Sequence, residues 1–143
     1  TIPQFLAPDG RLIVGLDANQ DEDSLSRAYD TQAVSDFILN IFHRIHRDLA
    51  LEQFDPNAFT YKFEWVPSDY CVKHKAISTK NQLFKLDNTP IILDEGEEFH
   101  IMSSFKYPYE FFQSMAIQAG LVPLDYFIDN RQRMAIHVFK VKA

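Results

Sequence analysis

The sequence predicts an α+β (mixed α/β) fold on three observations. One apolar stripe recurs at helical spacing around residue 40, alternating segments follow it, and a nearly unbroken apolar run, Arg11–Leu16, stands near the start. With 143 residues, the chain is long enough to remove roughly 70% of its unfolded surface from water. Thirteen Phe and an aromatic share of 14% suit a broad core or a pocket with ring walls. A net charge of -6 and the lack of a basic stripe disfavour a phosphate-backbone footprint, so nucleic acid is not expected as a partner. The single cysteine, Cys71, excludes an internal disulfide framework and fits a reducing, cytoplasmic setting. No apolar run reaches membrane-spanning length, so no membrane association is expected. The chain opens on Thr1 rather than Met, which raises the expectation of a fragment.

Taken in order, Ala7-Pro8-Asp9-Gly10 reads as a turn. The run Arg11–Leu16 then reads as a strand buried on both faces. Ser24 is placed to cap a brief helix through Leu25 and Ala28. Val34, Phe37, Ile38, Ile41, Phe42, Ile45 and Leu49 recur at spacings of three and four, the stripe of a helix of about four to five turns. His43 and His46 lie on this helix without a third ligand type, and no metal site is expected.

Phe54–Phe59 reads as a helix stop and an Asp-capped turn. Tyr61, Phe63 and Trp65 then alternate with Lys62 and Glu64, the period of a strand. Tyr70–Ser78 and Gln82–Leu86 read as two more strands, and the three together as an antiparallel meander covered by the long helix. A helix from Pro108 to Ala119 ends at Gly120. Strands Val122–Ile128 and Met134–Val141 close the chain as a hairpin.

Chemistry concentrates in Gly96–Phe112, GEEFHIMSSFKYPYEFF. Hydroxyls, a thioether, a histidine and aromatics within so few residues suit a small-molecule pocket. The plainer reading is a strand-to-helix connection whose rings fill a core. No Ser-His-acid arrangement or Gly-x-Ser-x-Gly elbow supports a hydrolase.

Three segments, LAPDGRLIVGLDANQDEDSLSRAYD, FILNIFHRIHRDLALEQFDPNAF and GEEFHIMSSFKYPYEFFQSMAIQAGL, run in the same order as in a known family. The specific parts are Ala28-Tyr29-Asp30, Asn40 with Ile45–Leu49, and Gly96-Glu97, His100, Ser104 and Lys106-Tyr107. Together they resemble the histidine-specific, S-adenosylmethionine-dependent Nα-methyltransferases of the ergothioneine pathway. The resemblance implies that residues 1–19 and 105–143 are the tail of a class I methyltransferase sheet: one central strand, a helix and a terminal strand hairpin. Residues 20–104 would be an inserted substrate-recognition domain, a long helix on an antiparallel sheet.

The resemblance implies substrate-binding roles for Tyr29, on the amino acid's carboxylate, and for Ser104, on its side chain. At two substrate-lining positions the chain departs from the family. Met102 stands where the family has an acid, and His74 where it has a methionine. A thioether is a weak acceptor and cannot favour a charged imidazole. A buried polar group left without its partner costs roughly 1–3 kcal/mol, so histidine is expected to be replaced as substrate or held differently. The alternative is that His74 and Met102 only exchange space across a sheet.

The four glycines form no Gly-x-Gly cluster. S-adenosylmethionine is therefore expected to bind the parent enzyme outside this chain, no cofactor-binding residue is assigned within it, and the chain alone is expected to be inactive, with no catalytic residue of its own. The strand Arg11–Leu16 would leave an open edge suited to self-association. The rival reading is a stand-alone, non-catalytic α+β small-molecule or protein-binding module derived from such an enzyme.

Overall fold

The computed structural model describes residues 2–7 and 9–141. It is mixed α and β, with three α-helices and eight strands among those residues. Its contacts divide into two units. The first comprises Thr1–Asp21, Pro67–Cys71 and Phe105–Ala143, and the second Glu22–Val66 and Val72–Ser104.

In the first unit, β1 (Leu12–Asp17), β7 (Leu121–Ile128) and β8 (Met134–Val141) form a sheet in the order β1-β8-β7. Both pairings are antiparallel, with Leu12 opposite Phe139 and Tyr126 opposite His137. The turn before β1 closes through a 2.8 Å bond from Gly10 N–H to Ala7 C=O; Pro8 of that expected turn lies outside the described residues. Helix α3 (Tyr109–Gln118) begins after Pro108 and ends near Gly120, whose φ of 89° an L side chain rarely adopts. Phe139, Ala116 and Leu121 form its dry core, with Leu6, Leu12 and Phe112 packed against them.

The expectation that the first strand is covered on both faces is not met. Leu12 packs into the core, but Ile13 is 67% exposed. The pairing register places Gly15 beside Ile136, and Ile136 beside Phe127, on this same outer face. Met134 and Ile136 are exposed there too, because α3 covers only the opposite face among the described residues. The strand is also an edge rather than a central strand of this sheet.

In the second unit, α1 (Glu22–Tyr29) begins two residues before Ser24, so Ser24 lies inside the helix instead of capping it. Asp21 N–H is bonded to Asn19 Oδ1 at 3.1 Å, a side-chain turn that lets the helix start earlier. Helix α2 (Gln32–Asp48) is capped by Thr31, whose side chain accepts from Val34 N–H. Its apolar stripe is wider than its buried face. Ile38 and Phe42 are buried, whereas Phe37, Ile41 and Leu49 are exposed. Phe42 anchors the unit's core with Leu51, Phe54, Phe59, Ala76, Phe84 and Leu93. Its ring stacks on Phe59 at a centroid distance of 3.6 Å.

The expected three-strand meander is corrected. The sheet is β2 (Phe59–Val66), β3 (Cys71–Ser78) and β6 (Glu98–Phe105), in the order β2-β3-β6. Strand β4 (Gln82–Leu86) pairs instead with β5 (Thr89–Leu93), a strand absent from the sequence reading. Asp87 and Asn88 have φ of 48° and 66°, the two left-handed residues of a tight hairpin turn. That turn gives β4 a local partner and leaves the place beside β3 to β6.

Candidate substrate-binding site

The four residues singled out in the sequence all lie in the second unit. Tyr29 ends α1, His74 sits mid-way along β3, and Met102 and Ser104 lie on β6. Alternation along β3 turns Val72, His74, Ala76 and Ser78 inward, and all four are buried. One end of this face, at Ala76, is the dry core under α2. At His74 the covering changes from apolar to aromatic and polar.

His74 is 1% exposed. Its ring meets Tyr29 edge-on at 5.4 Å and stacks on Tyr61 at 5.9 Å. Tyr61 Oη lies 2.8 Å from His74 Nδ1. Burial, reinforced by the Asp30 carboxylate and by Tyr29, pushes the Tyr61 hydroxyl up to about 12. Tyr61 is therefore a neutral phenol at any ordinary pH.

The ladder between β3 and β6 is irregular by one residue. Ser78 N–H bonds to Glu97 C=O at one end of the β3–β6 ladder, and Lys106 N–H to Tyr70 C=O at the other. Eight steps separate 70 from 78, but nine separate 97 from 106. His100 Nε2 and Ser103 Oγ also meet at 2.9 Å, although residues three apart in a regular strand point to opposite faces. The strand thus carries a bulge. Before it, Phe99 and Ile101 pack on the core. Toward the end of the strand Ser103 and Ser104 are both half-buried, and Met102 is 40% exposed.

Tyr29 and His74 are thus in direct contact, and Ser104 lies on β6, the strand beside β3. Tyr61 is the residue the sequence reading left out. Its signal was present in the Tyr61, Phe63, Trp65 alternation, which the hairpin with β3 turns toward His74. The described clefts lie elsewhere. One of about 440 Å³ in the first unit is lined by Ala18–Asp21, Pro108–Glu110 and Arg131–Arg133. Two in the second unit flank α2. Tyr29, His74, Met102 and Ser104 line none of the three. Among the described residues no cluster of His, Cys, Asp or Glu could hold a metal ion, and no helix is long and apolar enough to cross a membrane.

The family that the sequence resembles uses S-adenosylmethionine, and the residues present do not fit that group. Gly10 closes a turn, where an added Cβ would meet Ala7 O at 2.9 Å. Gly15 sits within β1, Gly96 and Gly120 occupy left-handed turn positions, and the loop after β1 runs Ala18-Asn19-Gln20-Asp21. No glycine of the described residues stands between a strand and the helix after it, where a cofactor approaches the backbone.

Comparison with known proteins bears on the whole chain. The model of a family described as "Histidine-specific methyltransferase, SAM-dependent" matches residues 1–141. The chain is 34% identical over 130 residues to an uncharacterized protein, y4iF, of Sinorhizobium fredii, covering 89% of this chain and 41% of that protein. It is 29% identical over 124 residues to the N-methyltransferase dtpB of Aspergillus flavus, covering 85% and 35%. It is 23% identical over 128 residues to the N-methyltransferase fsqC of Aspergillus fumigatus, covering 90% and 35%. The matched stretch is thus less than half the length of each of these relatives.

Proposed function

Because the chain belongs to the family of histidine-specific, SAM-dependent methyltransferases, we propose that it is the substrate-recognition and C-terminal portion of an amino-acid N-methyltransferase. Two relatives named as N-methyltransferases support the reaction class. The single observation that carries the substrate-recognition role is the contact of Tyr29 with His74, 5.4 Å between ring centroids. It joins the residue that the family uses for the substrate's carboxylate to the position where this chain differs from the family. The division of the chain's contacts near residues 21 and 105 supports an inserted domain over residues 20–104, although Pro67–Cys71 groups with the terminal segments.

In this reading Tyr29 holds the substrate carboxylate from α1. Ser104 and His74 face the side chain from the sheet, and Met102 narrows the pocket toward apolar or aromatic groups. S-adenosylmethionine supplies the methyl group in the parent enzyme, and this chain contributes position alone. Holding an amine in line with a donor is worth several kcal/mol of barrier in well-oriented systems, about 7–11 kcal/mol at the upper end. Among the described residues no strand pairs with the outer edge of β1, beside exposed Ile13, which supports self-association of the isolated chain.

Isothermal titration of the protein, completed to the length of its relatives, against the twenty amino acids tests the reading. Binding of an amino acid other than histidine, weakened at least about tenfold by Tyr29→Phe, is the expected result. Tight binding of histidine would refute the altered specificity, and binding of no amino acid would favour the non-catalytic module.

A further inference from the structure

His137 lies in the interface between α3 and the sheet of the first unit. Its ring is 0% exposed. It meets Phe112 of α3 at 5.1 Å and stacks on Phe139 at 5.7 Å, with planes 9° apart. Neither ring nitrogen has a hydrogen-bond partner among the described residues. A buried polar atom without a partner costs free energy, and a buried charge without one costs far more. The buried histidine of β3 differs, because Tyr61 Oη meets its Nδ1 at 2.8 Å.

The groups that face the His137 ring are aliphatic side chains, aromatic rings and phenols. Val14 of β1 and Tyr126 of β7 stand directly opposite it across the sheet. On α3 the titratable groups are Tyr109 and Glu110, in its first turn. Tyr109 stacks on Tyr126 at 5.1 Å. Glu110 is exposed and lines the cleft of the first unit. Asp17, Asp125 and Lys140 stand on the outer face of the sheet, opposite Met134, Val138 and Val122. A proton on His137 would therefore place a charge in a dry interface with no carboxylate facing it.

We propose that His137 is an acid-sensitive latch, whose protonation releases α3 from its sheet while the second unit stays folded. The inference stands apart from the substrate reading above. Burial lowers the proton affinity of His137 below its ordinary value of 6.5. The open form thus takes up the proton more readily than the docked form, and opening is favoured as pH falls below about 6.5. Phe112 leaves the core with the helix. Pro108, Tyr109 and Glu110 leave the wall of the cleft of about 440 Å³, so that cleft is complete only while His137 is neutral.

Hydrogen exchange of the protein, completed to the length of its relatives, resolves the elements. After correction for the intrinsic pH dependence of exchange, the α3 amides should lose protection at least about tenfold between about pH 7.5 and 5. The α2 amides, over an apolar core, should keep theirs. His137→Phe, which leaves a ring in the same place, should keep α3 protected at the lower pH. Equal protection of α3 at both pH values, an equal loss from α2, or an undiminished loss in His137→Phe overturns the proposal. Where His137→Phe fails to fold, the wild type decides: the His137 ring protons should titrate below 6.5, with the Phe112 resonances shifting alongside. A His137 that titrates while Phe112 keeps its docked resonances contradicts the release.

Discussion

Lys106 and Asp17 form an ion pair of unequal burial: Nζ lies 3.2 Å from Oδ2, with the lysine side chain 3% exposed and the aspartate 41%. Lys106 also donates its backbone N–H to Tyr70 C=O at 2.7 Å and accepts a hydrogen bond from Gln20 Nε2. Asp17 in turn accepts from Asn19 N–H, and Asn19 from Asp21 N–H, so the loop after β1 is built on the same anchor.

The asymmetry predicts which half of the pair matters more. Asp17→Ala takes the carboxylate away from a buried ammonium, whereas Lys106→Met leaves a carboxylate that water still reaches. Asp17→Ala should therefore destabilise more than Lys106→Met. Its cost should fall below the roughly 3–5 kcal/mol of breaking a fully buried pair, because Asp17 is half in solvent. Urea midpoints of the two variants check this; equal or reversed costs would contradict it.

His137 predicts an acid-sensitive fold. It is fully buried among Phe112 and Phe139, and burial lowers its affinity for a proton below the ordinary value of 6.5. The folded chain thus binds that proton less readily than the unfolded chain. Its contribution to stability is complete above about 6.5 and is lost as pH falls below that value toward the lowered folded one. His137→Phe should flatten the decline in melting temperature as pH falls below about 6.5. An unchanged slope would show that other groups carry it.

Phe42 predicts the largest cavity effect in the second unit. Its ring is stacked on Phe59 and lies 6.4 Å from both Phe54 and Phe99. Phe42→Ala should cost about 3–5 kcal/mol, measured by chemical denaturation. Phe37→Ala, on the exposed side of the same helix, should cost less than about 1 kcal/mol.

The edge strand predicts concentration-dependent association of the isolated chain. Antiparallel pairing of two β1 strands about Val14 sets Arg11 of one copy opposite Asp17 of the other and Ile13 over Gly15. Light scattering should show mass rising with concentration, and Ile13→Lys should suppress it. A clean monomer at high concentration would contradict the prediction.

The sequence made the helices and most strands legible because their periods are strong. The α2 stripe and the Tyr61, Phe63, Trp65 alternation led directly to the long helix and to β2. Strand β5 was missed because the signal lay in Asp87-Asn88, a pair without glycine that nevertheless adopts the hairpin turn. The two-sided burial expected of β1 failed because apolar composition reports what a strand can bury, and α3 covers only one face. The site was less legible. Tyr29 and His74 are 45 positions apart in sequence, and only family resemblance connected them. The irregularity in β6 before Ser104 shows in the offset of the ladder's end bonds, which no local pattern encodes.

The central claim is tested most directly by methyl transfer. The protein, completed to the length of its relatives, should be incubated with labelled S-adenosylmethionine and each amino acid, beside the 143-residue chain alone. Label on the α-amine of a non-histidine amino acid, lost in Tyr29→Phe and absent with the chain alone, is the predicted result. Transfer to histidine alone, or to none of the twenty, would contradict the account.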